Sequence, residues 1–145
     1  MPSLTKAWST WLSMGRRMST IAASSDEEPF LERSSRADTP ILLSEDGKLK
    51  LAIIGWIKTV EWLQWYEVTA EPGGELDSEG HQRGSIESLS VSAGEFEVEV
   101  GGITQRAKAG ETLRYRCDRQ HIVRCVSGQP GTALMVCILK AAVMD

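Results

Sequence analysis

Two imidazoles and one misplaced carboxylate are the groups of this chain best suited to chemistry. His81 and His121 are its only histidines, and they stand near the two ends of the stretch from Glu75 to Val126. Glu87 lies between them. In an extended run over residues 86–92 it shares a side with Leu89 and Val91, away from Ile86. A carboxylate on the apolar side of a strand is costly unless it is paired, so this position points to a functional interior. If the three meet in one cavity, they can contact a metal or a polar ligand. The alternative is two loop histidines with no shared partner.

The segments between them must bring them together. Runs that read as strands alternate with glycine-marked turns at Gly94, Gly101-Gly102 and Gly110. The ends of such a segment return to one place if the strands close into a small barrel. Phe96, Val98 and Val100 alternate with Glu95, Glu97 and Glu99, the clearest half-buried strand in the chain. Its register is fixed, because a slip of one residue would bury three glutamates. Strands are expected over residues 41–43, 49–57, 61–71, 86–92, 95–100, 103–107, 112–116, 122–126 and 133–140. Asp46-Gly47 marks a hairpin-type turn. The run GGELDSEG reads as an exposed loop over the barrel mouth. In the strand over residues 61–71, Trp62 and Trp65 point to opposite faces, one to the core and the other to a pocket wall or subunit contact. Tyr115 is a core aromatic or a ligand contact. Arg114, Arg116 and Arg124 are expected on the surface or paired with the glutamates of residues 95–99. Many short strands with no helix between them mean an all-β fold, an antiparallel sandwich or barrel.

Upstream the pattern changes. Leu4, Trp8, Trp11 and Leu12 fall on one face of a helix, so residues 1–23 read as one amphipathic helix. Residues 24–38 are polar, with Pro29 among them, and read as a linker. The chain has 145 residues, 16 basic and 20 acidic, which argues against nucleic-acid binding by bulk charge. No apolar run approaches the roughly 20 residues of a spanning helix, so no membrane partner is expected. Cys117, Cys125 and Cys137 make an odd count with no CxxC, which fits buried thiols in a reduced, cytoplasmic setting.

His81-x-x-Gly84-x-x-Glu87, six residues to Gly94, then Val98-x-Val100-Gly101-Gly102, Ala109-Gly110-Glu111, Tyr115 and Asp118-x-x-His121-x-x-Arg124 together resemble the cupin superfamily. The pattern is most similar to the cupin sensor domains at the C-terminus of Xre-type, lambda-repressor-like helix-turn-helix regulators. Pro2, Leu4, Trp8 and Ser19 resemble the last helix of the DNA-binding domain of that family. The sequence departs from the pattern at Arg83, where a second histidine commonly stands. It departs also at Arg116 and Asp118, in place of Pro and Gly, and at Cys125, in place of Asn.

The resemblance implies a small antiparallel β-barrel of the cupin, or jelly-roll, type over residues 39–145, with one N-terminal helix. It implies His81, Glu87 and His121 as ligands of a divalent metal (Zn, Fe, Mn or Ni), a donor set that leaves open coordination positions. Arg83 turned inward would favour an anionic ligand. Arg83, Tyr115 and Trp65 are the candidate ligand-binding residues. The function implied is an effector-binding sensor for a small molecule or a metal, acting as a homodimer, with most of the DNA-binding domain absent and no DNA binding by this chain alone. The alternative is a metal-dependent enzyme of the oxygenase or isomerase type on His81, Glu87 and His121. The missing histidine weighs against catalysis.

Overall fold

The computed structural model describes residues 29–139. The helix expected over residues 1–23, with Trp8 and Trp11, lies outside that range. Ten strands occur among the described residues: β1 Ile41–Leu43, β2 Leu49–Ile53, β3 Leu63–Ala70, β4 Glu75–Ser78, β5 Ile86–Ala93, β6 Glu95–Val100, β7 Ile103–Lys108, β8 Thr112–Arg116, β9 His121–Cys125 and β10 Gly131–Ile138. They form two antiparallel sheets, of order β1-β2-β3-β10-β5-β8 and β4-β9-β6-β7. This is an all-β jelly roll. The helical residues among those described are two three-residue 3-10 turns, Arg36–Asp38 and Ile57–Thr59.

Alternation builds the interior. Along β3 every second residue from Gln64 to Ala70 is buried, and along β10 every second residue from Gly131 to Cys137. Phe96 and Val98 of β6 face in, while the three glutamates of that strand line its outer side. There Arg124 bridges Glu75, Glu97 and Glu99 at 2.7, 3.2 and 3.1 Å. Gly131 has no room for a side chain, since a Cβ would stand 2.7 Å from the Phe96 ring.

The register sorts the interior into layers. Val68, Ala133 and Val91 lie side by side across β3, β10 and β5. The next layer is Tyr66, Met135, Leu89 and Leu113. One step further the composition turns polar, to Gln64, Cys137, Glu87 and Tyr115. On the second sheet the apolar row Leu76, Val123 and Val98 gives way to Ser78, His121 and Val100. One end of the barrel is therefore a conventional apolar core and the other is polar.

Two sequence expectations need correction. The strand expected over residues 49–57 stops at Ile53. The amides of Ile54 and Gly55 both donate to the Trp65 carbonyl at 3.1 Å, a two-against-one pairing that ends the regular ladder. The loop expected at GGELDSEG contains β4, which pairs with β9 and turns Leu76 and Ser78 inward. Four residues, two of them acidic, carry too little periodicity to signal a strand.

Candidate functional site

Two loops set the site and are stitched to each other. The His81 amide donates to the Cys117 carbonyl at 2.8 Å, and the Cys117 amide donates to the Ser85 carbonyl at 3.0 Å. Gly84 donates its amide to Asp118 Oδ2 at 2.8 Å. Gly80 lies so close that a Cβ would stand 2.5 Å from the Asp118 carbonyl oxygen. That Gly84 bond and a second from Arg116 hold the Asp118 carboxyl well down, at a pKa of about 2. The residues between His81 and Ser85 are thereby fixed against those between Cys117 and His121.

Inside that frame, His81, Glu87 and His121 converge. His121 is 2% exposed and opens β9. Its Nδ1 lies 2.8 Å from the Arg119 carbonyl oxygen. A carbonyl can only accept, so Nδ1 carries the proton and the Nε2 lone pair faces inward. Nε2 stands 3.7 Å from Glu87 Oε1. Tyr115 donates its hydroxyl to the same Oε1 at 2.5 Å. The ring centroids of His81 and Tyr115 lie 6.0 and 5.9 Å from that of His121.

Burial dominates the electrostatics. Glu87 is 3% exposed, and its burial raises the carboxyl pKa against the opposing pull of His121 and of the Tyr115 hydrogen bond. Burial and the neighbouring carboxylate also push the Tyr115 hydroxyl well up, so it stays a donor. His81 falls to about 4, through burial first and the nearby His121 second, and is neutral at physiological pH.

Other groups of this layer carry less obvious sequence signals. Cys117 and Cys137 are fully buried with their sulfurs 3.6 Å apart. The ligating atoms of His81, Glu87, Cys117 and Cys137 all lie within 4.8 Å of one another. Ser85 Oγ and Gln64 Oε1 are buried on the inward face with no hydrogen-bond partner. Two expected ligand contacts stand elsewhere. Arg83 is exposed on the loop before β5, where its charge stays in water. Trp65 alternates with buried Gln64 and Tyr66, so it faces outward and lines a groove of about 320 Å³ with Phe30, Trp56 and Ile57.

Residues 66–137 match the family model of the cupin domain. The chain carries a cupin domain. Its solved neighbours resemble it in fold. The cupin domain of an XRE family transcriptional regulator from Enterobacter cloacae is 20% identical at a TM-score of 0.58, over 63% of this chain and 96% of that one. An HTH_3 family transcriptional regulator from Vibrio cholerae is also 20% identical at 0.58, over 65% of this chain and 52% of that one. A sugar phosphate isomerase of the cupin superfamily from Silicibacter pomeroyi is 13% identical at 0.57, over 74% of this chain and 75% of that one. No curated protein matches the chain.

The residues of this cupin interior suit a divalent metal. They offer a neutral imidazole, an inward Nε2 with its tautomer fixed from behind, a carboxylate and two sulfurs. They also include two buried polar atoms without partners.

Proposed function

We propose that this cupin domain is the effector-binding module of an XRE-type transcriptional regulator. It takes a small molecule, with or without a divalent cation, into the polar end of the barrel and responds as a homodimer. One observation carries the proposal. A barrel that is apolar through two layers holds a polar third layer of buried Glu87 and His121 with part-buried Tyr115, beside the unpartnered Ser85 Oγ and Gln64 Oε1. Buried polar atoms without partners are rare, and a ligand with a few polar groups would satisfy them. Likeness in fold to cupin domains of such regulators agrees with this. Operator contact belongs to the helix-turn-helix part of that family, not to the barrel. No helix among the described residues is long and apolar enough to cross a membrane.

Each residue has a part. His121, fixed through Nδ1, presents Nε2 to the ligand. Glu87 accepts from Tyr115 and either ligates a cation or accepts a ligand proton. His81, partly exposed, guards the rim. A cation held in this layer would supply a Lewis acid for a polar effector group.

Thermal-shift measurements with divalent metals, amino acids and small organic acids test the proposal. An effector at a hundred times its Kd stabilises a fold by about 2.7 kcal/mol, a readily measured rise in Tm. At least one compound should raise the Tm of the wild type and not that of His121→Ala. If no metal and no compound moves the wild-type Tm, the sensor assignment fails.

An enzyme of the oxygenase or isomerase type is the second candidate. The chain of contacts from Tyr115 through Glu87 to His121 favours it, because it sets a hydroxyl donor and two proton acceptors next to one another. Turnover of a compound found by thermal shift, lost in Glu87→Gln while binding persists, would establish it over the sensor.

A further inference from the structure

The donor set of the barrel interior is not the one the cupin resemblance implies. Around Glu87, the atoms that gather within 4.8 Å of one another belong to His81, Cys117 and Cys137, two of the four being sulfur. The geometry points to a thiolate cation site: Cys117 and Cys137, with His81 and Glu87, hold a thiophilic divalent cation of the zinc class. This deepens the proposed function and rests on the barrel interior being the ligand site.

Two features carry it. The first is spacing. Two sulfurs each about 2.3 Å from a tetrahedral zinc lie about 3.8 Å apart, and Cys117 Sγ and Cys137 Sγ are separated by 3.6 Å. The second is the setting. Ser85 Oγ, fully buried and unpartnered, lies on the inward face beside them.

Chemically, a soft pair of sulfurs selects zinc-class cations over magnesium or calcium. Binding replaces both thiol protons, which leave to solvent, and forms two metal–sulfur bonds with no redox step. His81 adds a neutral imidazole from the rim, the partly exposed side by which a cation enters. The Tyr115 hydroxyl on Glu87 Oε1 offsets part of the surplus negative charge. Arg83 stands at the position of the missing histidine, and in place of that imidazole the sulfurs come from Cys137 of β10 and from Cys117, the residue after β8.

Cobalt titration of the reduced full-length chain tests this. A near-ultraviolet sulfur-to-cobalt charge-transfer band should saturate at one equivalent and be abolished by zinc. Cys117→Ser and Cys137→Ser should each weaken zinc binding by about tenfold or more in chelator competition, and the double variant should lose the band. Cys125→Ser, whose sulfur lies near Ser127 and Gln129, should behave as wild type. Circular dichroism confirms that each variant is folded. Cobalt bound without that band, equally by the double variant, would overturn the thiolate site and leave the sensor function standing. No binding of cobalt or zinc while an organic effector still raises the Tm would do the same. Only the absence of every metal and every effector would remove both.

Discussion

Glu87 separates the demands of folding from those of binding. Its carboxyl is desolvated, so its ionised form is disfavoured in the folded protein. A raised pKa makes the native state bind more protons than the unfolded chain above the ordinary value of 4.5, so the residue destabilises the fold increasingly as pH rises through that region. Glu87→Gln keeps an acceptor for Tyr115 and removes the charge. We expect its Tm to exceed that of the metal-free wild type at pH 7, with the difference closing toward pH 4, while metal and effector binding are lost. A lower Tm at pH 7 would show the carboxylate to be structural. Much of this was legible in the sequence, since Glu87 stood on the apolar side of a clear strand between the only two histidines. Cys117, Cys137, Ser85 and Gln64 were not legible as one group, because their meeting depends on register across β3, β10, β5 and β8. The positions of Arg83 and Trp65 followed from local choices, loop exposure and strand parity. Parity alone puts Trp65 with Leu63 and Glu67, and the interior then belongs to Tyr66.

At the scale of elements, the barrel offers a site only because two loops are locked together. Gly80→Ala should unseat the His81 loop, since its Cβ would meet backbone of Asp118, which cannot rotate away. Strain of this kind costs about 1–3 kcal/mol, and the loop can relieve it only by moving outward. We expect at least a tenfold loss of ligand or metal affinity, measured by calorimetry, with the β-sheet circular dichroism unchanged. Unchanged affinity would show that the loop contact does not position His81. Asp118 locks the same joint by charge. Its depressed pKa means that its contribution is full above about 3.8 and is lost as pH falls through about 2. Asp118→Asn should therefore lower the Tm at pH 7, and the deficit should close between pH 4 and pH 2 in a pH-resolved melting series. A deficit independent of pH would mean that the hydrogen-bond geometry, rather than the charge, matters. Alternation located nearly all the strands, because an interior face is written two residues at a time. It failed at β4 and after Ile53, where a short pairing and a bulge are decided by partners distant in sequence.

Across the whole molecule, the interior site and a candidate subunit contact lie on opposite faces of the same two strands. Glu87 of β5 and Cys137 of β10 point inward and are register partners. Their neighbours Ile86 and Ile138, also partners, point outward at 44% and 39% exposure, and Leu134 of β10 is 43% exposed. Ile138 and Leu134 are four residues apart on one strand, about 13 Å, with Val136 between them on the same outer face. An exposed apolar strip of this kind suits a self-complementary contact about a twofold axis. A ligand that tightens β5 and β10 from within would then alter the outer surface directly, the differential contact that coupling requires. Ile138→Glu places a charge within that strip, beside Ile86. In sedimentation velocity the wild type should run as a dimer and Ile138→Glu as a monomer, with a ligand-free Tm equal to that of the wild type only at concentrations where the wild type also dissociates. Linkage is reciprocal, so if effector or metal strengthens the dimer by some factor, the monomeric variant must bind that ligand more weakly in proportion. A wild type monomeric at high concentration would remove the dimer, and a monomeric variant with unaltered ligand affinity would leave a binding barrel without this route from pocket to interface.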